Sequence, residues 1–153
     1  MRGAAPYRAY LYAANHGIAT AHPERGADAS HRGGNPGFVR IVDAHTLLIP
    51  DYAGNTMFLT LGNIQANPRA GLLFVDFASG SLLQLSGTAE IGWDSAETAL
   101  FAGAERVLRF IVTTAVELRG ISPLRAATVA AAAAGESILS RIIVPPPAAS
   151  FIV

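Results

Sequence analysis

Residues 82–93 read Leu-Leu-Gln-Leu-Ser-Gly-Thr-Ala-Glu-Ile-Gly-Trp, and this stretch decides the fold class. Apolar and polar side chains alternate along it. One face carries Leu83, Leu85, Gly87, Ala89, Ile91 and Trp93, and the other carries Gln84, Ser86, Thr88 and Glu90. Because successive side chains of a β-strand point to opposite sides, a period of two predicts an antiparallel strand with one buried face.

Six further segments have the composition of strands and are separated by turn residues. They cover residues 17–21, 27–32, 38–42, 46–49, 69–77 and 106–118. In the last of these segments, the alternation predicts two faces. One face carries Leu108, Phe110, Val112, Val116 and Leu118, of which we interpret the first three as core, and the other carries Arg109, Thr113 and Glu117.

Short helices interrupt these strands. The spacing of Met57, Leu61 and Ile64 predicts a helix over residues 55–65, which must end before Pro68. Residues 94–97 have the spacing of a capping box and predict a second helix. A weaker pattern predicts a short helix within residues 1–15, packed on the barrel mouth. Six or more antiparallel strands with so little helix predict a small β-barrel.

Composition excludes several classes of function. The 153 residues fit a single domain, 1–153, and 51% of them are apolar. Eleven basic residues balance eleven acidic ones, so we expect no nucleic-acid partner. All the basic residues are arginine and the chain has no cysteine, which excludes lysine Schiff bases and thiolate chemistry. No apolar run is long enough for a membrane span, and polar residues interrupt any signal peptide, so we expect a cytoplasmic protein.

Four stretches in register resemble a known family. They are HRGGNPGFVR at 31–40, PDYAGNTMF at 50–58, TLGNIQANPRAGLLFVDF at 60–77 and LLQLSGTAEI at 82–91. Their order and spacing resemble the pyridoxamine 5'-phosphate oxidase-like, FMN-binding split-barrel family over a core of about 15–119. The resemblance implies an antiparallel, Greek-key-like split β-barrel with short rim helices. It also implies FMN as cofactor and a homodimer that builds its flavin sites at the two-fold interface. The Ala- and Pro-rich segment 120–153 is unlike the family.

The resemblance and the chemistry of FMN together indicate a set of cofactor-binding residues. The phosphate needs arginine forks, hydroxyl groups and backbone N–H donors, which Arg32 and the helix start at Asn55 and Thr56 can supply. Relatives that are true oxidases have an Arg-Lys pair at this helix start. The predicted set is Ser30, His31, Arg32, Gly33, Arg40, Asp51, Asn55, Thr56, Thr60 and Asn63.

Simpler structural roles compete at several of these positions. Arg32 could pair with Asp28 or Glu24 on the surface, Asn55 could be only a helix cap, and Asp51 could be a turn residue. The four histidines have irregular spacing, so we predict no metal site.

Two functions follow from the resemblance. The first is an FMN-dependent oxidoreductase that exchanges electrons with a reduced nicotinamide or a small organic substrate. The alternative is a non-catalytic module that binds a flavin, a deazaflavin or haem. Nothing after Leu118 resembles the basic C-terminal segment with which true pyridoxamine phosphate oxidases grip their substrate, which argues against vitamin B6 oxidation. No catalytic residue is assigned.

Overall fold

Seven antiparallel strands form one sheet in the computed structural model, which describes residues 8–13, 15–54, 58–93 and 96–122. The strands are β1 (Asn15–His22), β2 (Gly26–Gly33), β3 (Arg40–Ile41), β4 (Thr46–Tyr52), β5 (Arg69–Asp76), β6 (Ser81–Gly92) and β7 (Ala104–Leu118). Their order in the sheet is β2-β1-β5-β6-β7-β4-β3. All seven predicted strand segments are therefore present, and β4 lies beside β7 rather than beside β5.

The sheet rolls up on itself. Strands β2 and β4 are first and sixth in the order, yet Arg32 on β2 reaches Asp51 on β4. Ile18 on β1, Ile49 on β4 and Phe110 on β7 share one hydrophobic core. Within the described ranges, no ladder of backbone hydrogen bonds joins β2 to β3, so the barrel remains open along that line. The prediction of a mainly β, antiparallel split barrel with short helices is confirmed.

In the described ranges three short helices accompany the strands: α1 (Arg8–Leu11), α2 (Leu59–Ala66) and a 3₁₀ helix (Ala96–Leu100). Helix α2 ends just before the Asn67-Pro68 pair, as predicted from the conformational restriction that proline places on its predecessor. The predicted helix start at 55–57, the capping residues 94–95 and the segment from 123 onward lie outside the described residues. No helix in the described ranges is long and apolar enough to cross a membrane.

A β-bulge divides β7 and corrects one prediction. Ser86 pairs with Thr114 and Gly87 pairs with Val112, so Thr113 is an extra residue without a partner position on β6. Its hydroxyl donates to the carbonyl of Ser86 at 3.0 Å. An extra residue shifts the alternation of side chains by one. Beyond the bulge, the face assigned from sequence is therefore wrong.

The two halves of β7 show the effect of this shift. Leu108 and Phe110 are buried and Val112 is half-buried, as predicted for the core face. Val116, which was expected to continue that face, is exposed. Glu117 instead pairs with the buried Leu83 and accepts a hydrogen bond from the Tyr10 hydroxyl at 3.2 Å.

Gly87 is required at the bulge because the backbones approach closely there. A Cβ atom at this position would lie 2.0 Å from the carbonyl oxygen of Ile111, far inside van der Waals contact. An isolated glycine within a strand is a known sign of a bulge or a close backbone approach.

Candidate functional site

Three charged residues meet at the open side of the barrel. Asp51 Oδ1 accepts a hydrogen bond of 2.6 Å from Arg32 Nη1, and Asp51 Oδ2 lies 3.1 Å from Arg106 Nη1. Asp51 and Arg106 are cross-strand partners on β4 and β7, whereas Arg32 reaches across from β2. We call Arg32, Asp51 and Arg106 the arginine cluster. Two guanidinium groups share the Asp51 carboxylate, and Arg106 Nη2 also pairs with the exposed Glu105 at 2.5 Å.

The arginine cluster also holds hydrogen-bond donors without acceptors. Within the described residues, Arg32 Nε and Arg106 Nη1 are buried atoms that have no hydrogen-bond partner. The Arg106 nitrogen is close enough to Asp51 for an ion pair, but its N–H bonds are not aligned for a hydrogen bond. Buried donors are normally paired, because leaving one unpaired costs about 1–3 kcal/mol. Two neighbouring guanidinium groups with donors that lack a hydrogen-bond partner make a suitable site for an anionic group.

Two aromatic side chains border the cluster. The Phe58 ring centroid lies 5.3 Å from Cζ of Arg106, and the Trp93 ring centroid lies 5.5 Å from the same atom. Both distances are within the range of a cation–π interaction. About half of each aromatic side chain is exposed, whereas only 12% of the Arg106 side chain is. A ligand that approaches the buried Arg106 guanidinium would therefore pass the exposed rings of Phe58 and Trp93.

Hydroxyl groups fix α2 against the first two strands. Thr60 donates to Asp28 Oδ2 at 3.0 Å, so the 3.0 Å contact between Ser30 and Thr60 requires Ser30 to donate. Asn63 donates through Nδ2 to the Thr20 hydroxyl at 3.1 Å. Phe58 is the N-cap residue of α2, and its ring contacts Arg106. The positive end of the α2 dipole is thus held beside the arginine cluster.

His16 lies next to the cluster but in a very different environment. It is the cross-strand partner of Arg32, and its ring stacks on Phe38 and Phe74 with centroid distances of 5.5 and 5.1 Å. Only 2% of its surface is exposed, and neither ring nitrogen has a partner among the described residues. Burial, followed by the positive charges of Arg32 and His31, lowers the pKa of His16 to about 4. The imidazole is therefore neutral at physiological pH.

A family model matches most of the chain. The family model described as pyridoxamine 5'-phosphate oxidase matches residues 7–137. The chain belongs to the pyridoxamine 5'-phosphate oxidase family. A search of curated proteins gives no match.

Solved structures of the same fold include members with diverse names. HupZ of Group A Streptococcus is 16% identical, with 75% of this chain and 93% of that chain covered and a TM-score of 0.59. A protein named F420 reductase is 20% identical, covering 71% and 94%, with a TM-score of 0.53. An FAD-binding protein from Mesorhizobium loti is 13% identical, covering 75% and 91%, with a TM-score of 0.51. At these identities the similarity is one of fold.

In this member of the oxidase family, the predicted site residues divide into groups. Arg32 and Asp51 are in direct contact, and the alternative partners of Arg32, Asp28 and Glu24, are not used. Ser30 and Thr60 contact each other near the start of α2.

Other predicted residues lie apart from the arginine cluster or have structural partners. Arg40 is exposed and lies over the Phe101 ring at 5.2 Å, and His31 is exposed on the opposite face of β2 from Arg32. Asn63 is buried in its contact with Thr20, and Gly33 ends β2. Asn55 and Thr56 lie outside the described residues. Within those ranges, no three histidine, aspartate or glutamate side chains are placed to hold a metal ion.

Sequence reasoning missed three residues of the site. Arg106 stood only as the first residue of a predicted strand, Phe58 had no assigned role, and Trp93 was placed on the buried face of β6. Trp93 follows the last residue of that strand and is half exposed, so its predicted burial is wrong. The signal that could have identified Arg106 is its pairing with Asp51, which becomes visible only when β4 is placed beside β7.

Proposed function

We propose that this chain binds FMN and functions as an FMN-dependent oxidoreductase, with the flavin phosphate held by the arginine cluster. The observation that carries the proposal is the pair of buried guanidinium nitrogens, Arg32 Nε and Arg106 Nη1, that have no hydrogen-bond partner among the described residues. The family resemblance assigns the phosphate to this part of the barrel. Similar folds named F420 reductase and FAD-binding protein support a redox ligand of the flavin type.

The residues present fit the chemistry of FMN. Asp51 and the exposed Glu105 pair with the two arginines, and a phosphate would meet two buried guanidinium nitrogens that have no hydrogen-bond partner among the described residues. Charge-assisted hydrogen bonds from guanidinium to phosphate are short and strong. The first turn of α2 offers backbone N–H groups beside them. Arg32, Arg106 and the start of α2 would therefore hold the phosphate, and Asp51 would fix the direction of the two arginines.

The protein's part in the reaction is to bind and orient the cofactor. Bound FMN supplies the capacity to accept and donate hydride or single electrons. Phe58 and Trp93, the aromatic side chains beside Arg106, are exposed, so the site would be open to a reduced nicotinamide or a small organic substrate. No acid or base of the protein is needed for hydride transfer, so the neutral His16 is not assigned a role in it.

The visible spectrum of the freshly purified protein tests the proposal first. We expect the absorption bands of oxidised flavin, which should disappear when NADH or NADPH is added without oxygen. Flavin bands that persist with every reductant would favour the alternative of a non-catalytic flavin carrier. A Soret band would favour haem, and a colourless protein that fails to take up added FMN would reject the proposal.

Two arginine variants test the phosphate assignment. Because a hydrogen bond to a charged group contributes about 1.5–3 kcal/mol, Arg32→Ala and Arg106→Ala should each weaken FMN binding by roughly 10- to 150-fold. Riboflavin, which lacks the phosphate, should lose little affinity. Arg25→Ala is the matched control, since it removes the same charge from an exposed turn between β1 and β2. Equal losses for both ligands would reject the assignment.

We also propose that the functional unit is a homodimer. The outer face of the sheet carries the exposed residues Leu73 and Val116, which align across the barrel through their pairing with Gln84. Beside this ridge lies a hollow of about 630 Å³ lined by small residues such as Ala19 and Gly71. A ridge and a hollow on one face can fit each other in a two-fold pair. Light scattering should report twice the 15.9 kDa chain mass, and Val116→Glu should reduce it to one chain.

A further inference from the structure

Trp93 occupies an unusual position for a large aromatic side chain. It lies in the turn after β6, half of its surface is exposed, and its indole ring lies 5.5 Å from Cζ of Arg106. The guanidinium beneath it is largely buried and belongs to the arginine cluster. The cation–π contact with a fixed cation restrains the indole, while the rest of the ring surface stays open to solvent.

The arginine cluster and Trp93 offer two different kinds of ligand contact next to each other. The arginine cluster attracts an anion, and the open indole offers a flat surface on which another planar ring can stack. Phe58 approaches the same guanidinium at 5.3 Å and extends the aromatic surface. Exposed aromatic side chains beside buried, unpartnered donors match a ligand that carries both a planar ring and an anionic group.

We propose that Trp93 is the residue that recognises the ring of the ligand bound at the arginine cluster. The ligand class is then a planar aromatic ring system joined by a flexible linker to a phosphate. This inference rests on the proposed function, because ring and phosphate belong to the same molecule. It adds a specificity residue that neither the family resemblance nor the cluster itself assigns.

The dimensions of the site agree with such a ligand. Stacked aromatic rings have centroids about 4.5–7 Å apart, so a ring stacked on Trp93 would have its centre at most about 12 Å from the Arg106 guanidinium carbon. An extended ribityl chain spans the gap between a ring at that place and a phosphate at the cluster. A ligand without a linker could use only one of the two surfaces.

The proposal predicts opposite selectivities for two variants. Stacking on an aromatic side chain contributes to the binding free energy of any ligand with a planar ring. Trp93→Ala should therefore weaken binding of both FMN and riboflavin by roughly 5- to 140-fold. The affinity for inorganic phosphate, measured by competition with FMN, should not change. Trp93→Phe keeps a ring and should recover most of the loss. Arg32→Ala should show the reverse pattern, with FMN and phosphate weakened and riboflavin spared.

Ile121→Ala is the control, because it truncates an exposed apolar side chain beyond the far end of β7, away from the arginine cluster and from the proposed dimer face. Thermal unfolding of each variant checks that the barrel is intact. If wild type binds FMN and Trp93→Ala binds it equally well, the ring assignment is wrong while the proposed function stands. If wild type binds phosphate but shows no preference for FMN over phosphate, the ring assignment is again wrong. If wild type binds no FMN at all, both proposals fail.

Discussion

His16 and Arg32 are cross-strand partners on β1 and β2, but the imidazole is kept neutral whereas the guanidinium forms an ion pair. The imidazole of His16 is packed between two phenylalanine rings and kept neutral. The guanidinium of Arg32, in the same residue pair of the ladder, is held in an ion pair with Asp51. The comparison shows that the core and the candidate site meet across a single pair of residues.

The difference follows from what each neighbour can offer. Phe38 and Phe74 provide dispersion contacts but no acceptor, so a charged imidazole there would lose its hydration without compensation. Asp51 provides a full negative charge, and two arginines compensate its burial. A buried charge that has lost its partner is more costly than one that never ionises. Three experiments can separate these two environments.

The largest effect is expected from Asp51→Ala. Removing this carboxylate leaves two arginines facing each other, one of them only 12% exposed, and should lower the free energy of unfolding by about 3–5 kcal/mol. Urea unfolding at neutral pH measures the loss. Glu24→Ala, in an exposed turn, is the control and should change stability very little. A loss below about 1 kcal/mol for Asp51→Ala would show that the cluster behaves like an exposed surface pair.

The second effect depends on pH and belongs to His16. Its pKa is about 4 in the folded protein and about 6.5 when unfolded, so the unfolded chain binds the extra proton first as pH falls. The stability is fully present above pH 6.5 and should decrease by about 3 kcal/mol as pH falls to about 4.

His16→Phe keeps a planar ring between Phe38 and Phe74 but cannot titrate. We expect its free energy of unfolding to be nearly flat over the window in which wild type loses stability. Urea unfolding at a series of pH values compares the two proteins. If the stability of the two proteins changes with pH in parallel, His16 has the same pKa in the folded and unfolded states. Burial between the two rings would then not be what keeps its imidazole neutral.

The smallest effect links the two environments. Arg32 is the second cause of the lowered pKa of His16, after burial. Arg32→Ala should therefore raise the pKa of His16 while leaving it below 6.5, because the ring stays buried. Titration of the imidazole resonances by NMR measures the change, with Arg25→Ala as the control. An unchanged value would show that the charge of Arg32 is neutralised by Asp51 before it reaches the ring.

The sequence allowed most of the fold to be predicted, because alternation is a local signal. Residues 82–92 and the first half of β7 have the predicted alternation of faces, with Leu83, Leu85 and Ala89 buried. The second half of β7 was assigned to the wrong face, since Thr113 adds one residue and reverses the alternation. Gly87 was the available clue, because a glycine inside an otherwise regular strand often marks a bulge.

The candidate site could be predicted only in part, for a reason of topology. Arg32 and Asp51 lie in stretches that resemble the family, so they were named from sequence. Arg106 becomes part of the cluster only because β4 pairs with β7, and no local pattern reports that pairing. Trp93 resembled the next core residue in an alternating strand, but the strand ends at Gly92. Contacts between strands that are distant in the sequence therefore limit how much of the site can be predicted from the sequence.

The open side of the barrel has a consequence for colloidal behaviour. Its two free edges are unequal, since β3 has two residues and β2 has eight. A long free edge can template addition of a foreign strand, and inward-pointing charges are one device that prevents it. Asp28 and Arg32 place such charges on β2. Arg32, which we propose to bind the cofactor phosphate, also places a charge on this edge, so we expect Arg32→Ala to increase aggregation as well as to weaken FMN binding.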